Sequence, residues 1–480
     1  MSARYGGGIG AGGSGLLDTH FPGAARGGTG SCHLGRCGGK RLLLDCGLFQ
    51  GDGEEAARNR EDFPFDPRKI DAVVLSHAHL DHSGRLPLLV KRGFRGPIYT
   101  HLASCDLCRI LLKDAGYLNE KDTEWDNRKR LRRGLPPEEP LYGIADAERV
   151  SRHFRSLEYG KPVTILPGIR VGLRDAGHIL GSAIIELWLS EGGVERKLVF
   201  SGDLGHTHAP ILRDPETVRE ADLVLLESTY GDRLHRPWQE TWQELAEVLK
   251  DAAHHRGNIL IPSFAVGRTQ DLLYVFRQNF QGWDLGRWQL FLDSPLAIDA
   301  TEVYTRHWGV YDEEARAAWA RSGNPLSLPN LHISRTSEDS MAINQIRSGA
   351  IIIAGSGMCE GGRIRHHLKH NAWQRGSHIV IVGFQARGTL GRALVDGAEF
   401  IRLWGEEIKV AARVHTLGGL SAHADQRGLV DWCRRFGGAP SVVLVHGEPK
   451  ARDTLARVLQ STLGRSVVTP QLGEHLDIGR

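Results

Sequence analysis

The chain has no apolar run approaching the length that spans a bilayer. Its N-terminus shows neither a charged-then-apolar signal pattern nor a Gly after Met1. A soluble, cytoplasmic protein with no membrane partner is therefore expected. There is also no excess of charge of one sign: 60 Lys+Arg against 57 Asp+Glu leave +3. Global charge thus marks no nucleic-acid partner, and that role would fall to a local patch. Disulfide patterning is absent too. Cys32, Cys37, Cys46, Cys105, Cys108, Cys359 and Cys433 form an odd, scattered set, which suits a reducing compartment. Cys105-x-x-Cys108 lacks a second pair, so buried or free thiols are expected rather than a zinc knuckle. At 480 residues the chain is long enough for roughly two to four domains and needs no staple to hold a core.

Against these absences stands one dense stretch, Leu75-Ser-His-Ala-His-Leu-Asp-His-Ser-Gly84. It places His77, His79, Asp81 and His82 after the apolar run Ala72-Val-Val-Leu75, which reads as a short buried strand. Four metal-capable side chains then leave the strand end on a loop, with a helix starting after them. The same device recurs downstream. Asp45 closes the strand-like run 41–45, His178 follows the run 169–173, Asp203 follows 197–201, and Glu227 ends the apolar run 221–227. His423 and His446 lie on later strand-end or helix-start loops. Alternating strands and helices with chemistry at strand ends indicate an α/β layered fold.

Helices are expected over 103–117, 237–256 and 267–277, and strands over 96–100, 258–262 and 288–293. The charged segment 119–139, with Arg128, Lys129, Arg130, Arg132 and Arg133, reads either as a solvated helix face or as a phosphate-contacting patch. After residue 231 the character shifts to strand–helix alternation typical of a parallel sheet, and near residue 416 the first style returns. The simplest topology inserts a second domain into the first. The expected division is a flexible Gly-rich tail 1–15, a first core segment 16–231, an inserted domain 232–415 and a second core segment 416–480.

His77, His79, His178 and Asp203 would make one zinc-like site, and Asp81, His82, His446 and a shared Asp203 a second. Nitrogen and oxygen donors without thiolate suit Zn²⁺, two per chain, with Mn²⁺ or Fe as alternatives. Two such ions about 3.5–4 Å apart can lower the pKa of a bridging water from ~15.7 to about 7. A leaving oxygen still needs a proton, for which an unligated His is suited. His423 is the candidate acid, with Glu227 to hold its orientation and favour its charged form. Asp45 reads either as a turn former or as a group orienting a ligating His.

These motifs together resemble the metallo-β-lactamase superfamily. The His77-x-His79-x-Asp81-His82, His178 and Asp203 series matches its signature, and Asp45 its first, orienting motif. Glu227 in Glu-Ser-Thr-Tyr-Gly-Asp, His423 in Ser-Ala-His-Ala-Asp and His446 in Val-His-Gly-Glu resemble motifs A, B and C of the β-CASP branch. The similarity runs from about residue 21 to the C-terminus. It is to single-chain prokaryotic β-CASP ribonucleases and, more distantly, to the endonuclease subunit of the cleavage and polyadenylation specificity factor.

The resemblance implies an αββα metallo-β-lactamase sandwich with two zincs, capped by an inserted α/β β-CASP domain. RNA, most simply single-stranded, would enter the cleft between them. Hydrolysis by two-metal-activated water, with Asp203, Glu227 and His423 as catalytic residues, would leave 5′-phosphate and 3′-hydroxyl ends. His at motif C is associated with RNA substrates, so His446 favours RNA over DNA. By the same analogy Ser421 contacts a phosphate. Arg363 and Arg365, in a Gly-rich loop, are candidates for the same task or else a solvated pair beside a turn. Pro22 and the Gly-rich tail stand where relatives carry an apolar strand, so an irregular sheet edge is expected there. A DNA nuclease, a small-molecule metallohydrolase and an RNA-binding scaffold remain the alternatives. Endo- or exonucleolytic mode, RNA targets and homodimer formation are left open.

Overall fold

The computed structural model describes residues 18–20, 23, 27–51 and 53–477. The expected tail 1–15 lies outside the described residues. Two seven-stranded sheets form the core. The first runs, in spatial order, His475–Asp477, Asp18–His20, His33–Cys37, Lys40–Leu44, Ala72–Val74, Ile98–His101 and Phe154–Leu157. The second runs Val467–Val468, Ser441–Val445, Leu223–Glu227, Val194–Phe200, Ala183–Glu191, Ile169–Asp175 and Val163–Leu166.

Strand periodicity explains why these sheets stack. Leu42, Leu44, Ala72 and Val74 point inward and pack on Leu173, Ile185, Leu187, Phe200 and Leu225 of the facing sheet. Leu43 and Val73, one residue out of phase, point outward beneath the helix Leu102–Arg132. On the opposite outer face Val224 and Leu226 meet the helices Gln426–Arg434 and Pro449–Leu463 through Leu429, Cys433, Leu455 and Leu459. The result is an αββα sandwich. Each fully buried aliphatic side chain in it contributes roughly 1.5–3 kcal/mol.

The chain leaves the second sheet after Leu223–Glu227 and returns as Ser441–Val445, paired in parallel with it. Between them lies the cap, a six-stranded sheet ordered Leu331–Ile333, Gln289–Asp293, Ala350–Ala354, Ile259–Pro262, His378–Ile381 and Arg413–Thr416. Every pairing in it is parallel. Ala350–Ala354 is buried along its whole length, because helices cover both faces of the sheet. Cap and core are tied beside the loop carrying Ser421 and His423. Arg268, buried in an ion pair with Asp271 at 2.9 Å, also donates from Nη2 to the Leu420 carbonyl at 2.6 Å.

Three local expectations change. Asp18–His20 is a strand, antiparallel to both His33–Cys37 and His475–Asp477, so the sheet edge expected to be irregular is completed by backbone pairing. The helix expected over 103–117 continues to Arg132, because its solvated second half needs no apolar stripe once the first half is anchored. Within it Lys129 pairs with Asp126 and Arg130 with Glu138. Finally, Asp81 and His82 sit in a short helix, Leu80–Ser83, rather than a loop. All seven cysteines are buried and free, and burial pushes the Cys105 thiol up to about 12. No helix among the described residues is long and apolar enough to cross a membrane.

Candidate metal centre

The site lies where strands of both core sheets end. His77 and His79 follow Ala72–Val74, while His178 follows Ile169–Asp175 and Asp203 follows Val194–Phe200. The register pair Glu227↔Val445 sets Glu227 beside the start of the loop carrying His446. Close chain approach makes one position obligatory for glycine. A Cβ on Gly47 would fall 1.6 Å from the Asp81 carbonyl oxygen, so the Asp45 loop can lie against the Asp81 turn only without a side chain.

The sequence-predicted donors converge in two sets. His77 Nε2 and His178 Nε2 lie 3.2 and 3.1 Å from His79 Nδ1, and each lies 3.6 Å from Asp203 Oδ2. In the second set His82 Nε2 and His446 Nε2 are 3.2 Å apart, and His446 Nε2 is 3.3 Å from Asp81 Oδ2. Asp203 joins the two sets, with Oδ2 3.3 Å from His82 Nε2. Its Oδ1 is buried without a hydrogen-bond partner. Four ligands held ~2.0–2.1 Å from one tetrahedral ion would stand about 3.3 Å from each other, which is the spacing found. Crowded lone pairs, an orphaned carboxylate oxygen and an all-N/O donor set fit a zinc-type centre.

Electrostatics agree with that fit. Burial holds His77 and His178 well below the ordinary histidine range and brings His79 down to about 4, so all three keep free lone pairs at neutral pH. His82 goes the other way. Burial opposes its charge, but the Asp203, Asp45 and Asp81 carboxylates outweigh that and raise it well above its usual value. The carboxylates around His82 therefore call for positive charge, which a proton or a metal ion can supply.

A surrounding layer fixes the ring orientations. Asp45 is fully buried in a left-handed conformation (φ 59°). Its Oδ2 accepts from His82 Nδ1 at 2.7 Å and its Oδ1 from the Ser76 N–H at 2.7 Å. Ser31 and Ser76 hydroxyls also donate to Oδ2. His178 Nδ1 donates to the Ala422 carbonyl at 3.2 Å, and His446 Nδ1 meets Thr229 Oγ1 at 3.2 Å. Sequence reasoning missed Ser31, Ser76, Thr229 and Ala422. Serine, threonine and backbone carbonyls at turns carry no signal of their own.

His423 stands apart from the donors, with Nδ1 3.3 Å from Glu227 Oε2 and 3.8 Å from Asp203 Oδ2. Glu227 is fully buried and its Oε1 accepts from the Leu204 N–H at 2.6 Å. Burial disfavours the charged imidazole of His423, yet the Glu227 and Asp203 carboxylates prevail and push it up to about 9. The ring thus holds a proton at neutral pH. Ser421 Oγ accepts from the His423 N–H at 3.2 Å, placing this hydroxyl in the same loop. His235, unnoticed in the sequence, braces that loop through Nε2 to the His423 carbonyl at 3.0 Å.

The two candidate arginines are placed differently. Arg363 donates to Asp293 Oδ1 at 2.7 Å and to the Ser334 and Arg335 carbonyls, so its guanidinium is engaged in holding the cap together. Arg365 lies over the Trp404 ring and donates to the Glu360 carbonyl. In contrast, the cap strands Ile259–Pro262 and His378–Ile381 deliver Phe264 and Phe384 just past their carboxyl ends, 42% and 57% exposed. Gly267, three residues beyond Phe264, lies against Ile179, the neighbour of His178.

Two sets of imidazole and carboxylate donors bridged by one Asp, at the strand ends of an αββα sandwich, define a metallohydrolase of the metallo-β-lactamase fold. Family models for the metallo-β-lactamase superfamily, the Beta-Casp domain and a Zn-dependent metallo-hydrolase RNA specificity domain match residues 25–262, 269–394 and 407–470. The chain is 42% identical over 456 residues to Ribonuclease TTHA0252 of Thermus thermophilus, covering 95% of this chain and 99% of that one. It is 33% identical to the transcription termination factor FttA of Pyrococcus abyssi over 84% of this chain, spanning 61% of that protein. A crystal structure of a protein of unknown function from Enterococcus faecalis V583 shares the fold at 14% identity, with a TM-score of 0.53 over 96% of this chain and 99% of that one. The chain belongs to the β-CASP branch of the metallo-β-lactamase superfamily.

Proposed function

We propose that the protein is a zinc-dependent ribonuclease that hydrolyses single-stranded RNA in the cleft between core and cap, leaving 5′-phosphate and 3′-hydroxyl ends. The observation that carries this reading is a proton-holding histidine, His423, set against Glu227 and beside, but outside, two sets of metal donors that share Asp203. Phosphodiester hydrolysis needs both an activated water and a protonated acid, and the arrangement offers a place for each. The similarity to a named ribonuclease and to an RNA specificity domain supports RNA as the substrate class.

His77, His79, His178 and Asp203 would hold one zinc, and Asp81, His82, His446 and the shared Asp203 a second. When bound, such ions activate water and stabilise negative charge on the phosphate. The chain's own residues do the rest. Glu227 keeps His423 Nδ1 protonated and oriented, so the ring can give up a proton to the departing 3′-oxygen. Asp45 fixes the proton of His82 on Nδ1, which leaves Nε2 free as a donor atom. Exposed Phe264 and Phe384 offer stacking faces for unpaired bases, which favours single strands. The cytoplasm suits this chemistry and these free thiols, and a homodimer is compatible with it.

The test is digestion of a 5′-monophosphorylated linear RNA beside a matched circular RNA, with metal analysis of the same sample. At least two ions per chain and cleavage of the linear RNA are expected, and cutting of the circle would establish endonucleolytic action. Absence of bound metal at neutral pH, with no activity restored by Zn²⁺ or Mn²⁺, overturns the reading.

A further inference from the structure

A second group of metal-capable side chains lies in the cap, outside everything assigned above. Asp251 and His255 end the helix Trp238–His255, one turn apart and therefore on the same face. His378 opens the strand His378–Ile381, and Arg413 and His415 belong to the adjacent strand Arg413–Thr416. One donor atom each from Asp251, His255 and His378 lies within 4.8 Å of the others.

Hydrogen bonds engage the Nδ1 atoms of both cluster histidines. His255 Nδ1 donates to the Asp251 carbonyl at 2.8 Å, so the lone pair is on Nε2, where it accepts from Arg413. His378 Nδ1 lies 2.9 Å from His415 Nε2, so Nε2 is the ring nitrogen on the Asp251 side. That Nε2 is buried with no hydrogen-bond partner, with Asp251 Oδ2 3.9 Å away. Burial and the neighbouring His415 bring His378 down to about 4, so its lone pair is available at neutral pH. Two histidines with engaged Nδ1 atoms, offering Nε2 beside a carboxylate, reproduce the orientation that outer partners impose on zinc ligands. The only positive group among them is the Arg413 guanidinium, which contacts Asp251 Oδ2 and donates from Nη2 to His255 Nε2 at 3.0 Å. Its side chain is 46% exposed, so solvent reaches it from outside the cluster.

We propose that Asp251, His255 and His378 form a further metal site for a divalent ion of the zinc class, oriented by His415, with Arg413 standing in the cation's place until the ion binds. Two imidazoles and a carboxylate with an open position suit Zn²⁺ rather than the oxygen-seeking Mg²⁺ or Ca²⁺. The ion would clamp the first cap helix to the strand His378–Ile381, whose edge neighbour Arg413–Thr416 runs directly into the loop carrying Ser421 and His423. Its effect is therefore on the stability of the cap edge, separate from the hydrolytic centre.

Equilibrium dialysis of the intact protein against buffered Zn²⁺, read by elemental analysis, tests this. Wild type should hold one ion more than His255→Ala, whatever the occupancy of the core centre, and zinc should raise the melting temperature of wild type more than that of the variant. Arg413→Gln keeps all three ligands and removes the competing positive charge, so the additional ion should bind about tenfold more tightly. Equal zinc content in wild type and His255→Ala overturns the proposal. So does unchanged affinity in Arg413→Gln.

Discussion

Asp45 Oδ2 accepts the Nδ1 proton of His82 at 2.7 Å, with both residues shut off from solvent. This bond sets the tautomer of His82 from a position 37 residues away in sequence. Its strength comes from burial, where no water competes for either partner. Asp45→Asn should keep the fold, since an amide oxygen can still accept from the Ser76 N–H. The orientation of His82 would be lost, and one metal ion should bind about 10–100-fold more weakly in competition with a chelator. Unaltered affinity would show that Asp45 serves the turn alone.

His423→Ala removes the protonated ring but none of the atoms assigned to metal. RNA cleavage should fall by about 10²–10⁴-fold while metal content stays unchanged. Loss of an ion along with activity would make His423 a ligand instead. Glu227→Gln should act in the same direction, because it withdraws the charge that most favours the imidazolium.

Stacking at the mouth of the cap can be measured apart from chemistry. On a His423→Ala background, Phe264→Ala and Phe384→Ala should each weaken binding of a short single-stranded RNA by about 1–3 kcal/mol. Duplex RNA, whose bases are already stacked, should be insensitive. Equal effects on both would assign the rings to the fold.

Asp175 yields a pH dependence whose sign is determined. Burial pushes its carboxyl up to about 7, against the opposing Gly177 N–H bond and the Arg213 charge. In the unfolded chain it ionises near the ordinary ~4. Below that pH both states are protonated and nothing is lost. As the pH rises from about 4 to 7 the unfolded chain ionises first, and folding stability falls. Asp175→Asn retains an acceptor for Gly177 and should raise the melting temperature at pH 8 clearly more than at pH 5. At ~1.4 kcal/mol per pKa unit the difference is on the order of 2–4 kcal/mol. A gap that narrows with pH would contradict this.

Much of the centre was legible in the sequence because ligand chemistry is a matter of residue type. Imidazoles and carboxylates crowded after apolar strands can hardly be read otherwise, and His77, His79, Asp81 and His82 fall within six consecutive positions. The α/β layering and the insertion followed from strand–helix alternation and from the break in pattern after residue 231, whereas the αββα order was implied by the family resemblance. The tertiary structure decided the rest. Parallel pairing of Leu223–Glu227 with Ser441–Val445 brings Glu227 beside the chain that leads into His446, across more than two hundred residues. Asp18–His20 escaped notice because a three-residue strand is held by backbone bonds, which leave no mark on side-chain pattern. Arg363 reads the same in sequence whether it faces a phosphate or a buried Asp293, and only packing shows which anion it meets. Sequence alone determined which atoms could bind metal. Which of them converge, and which proton each ring carries, was decided by long-range contacts, because hydrogen-bond partners far apart in the chain become neighbours only after folding.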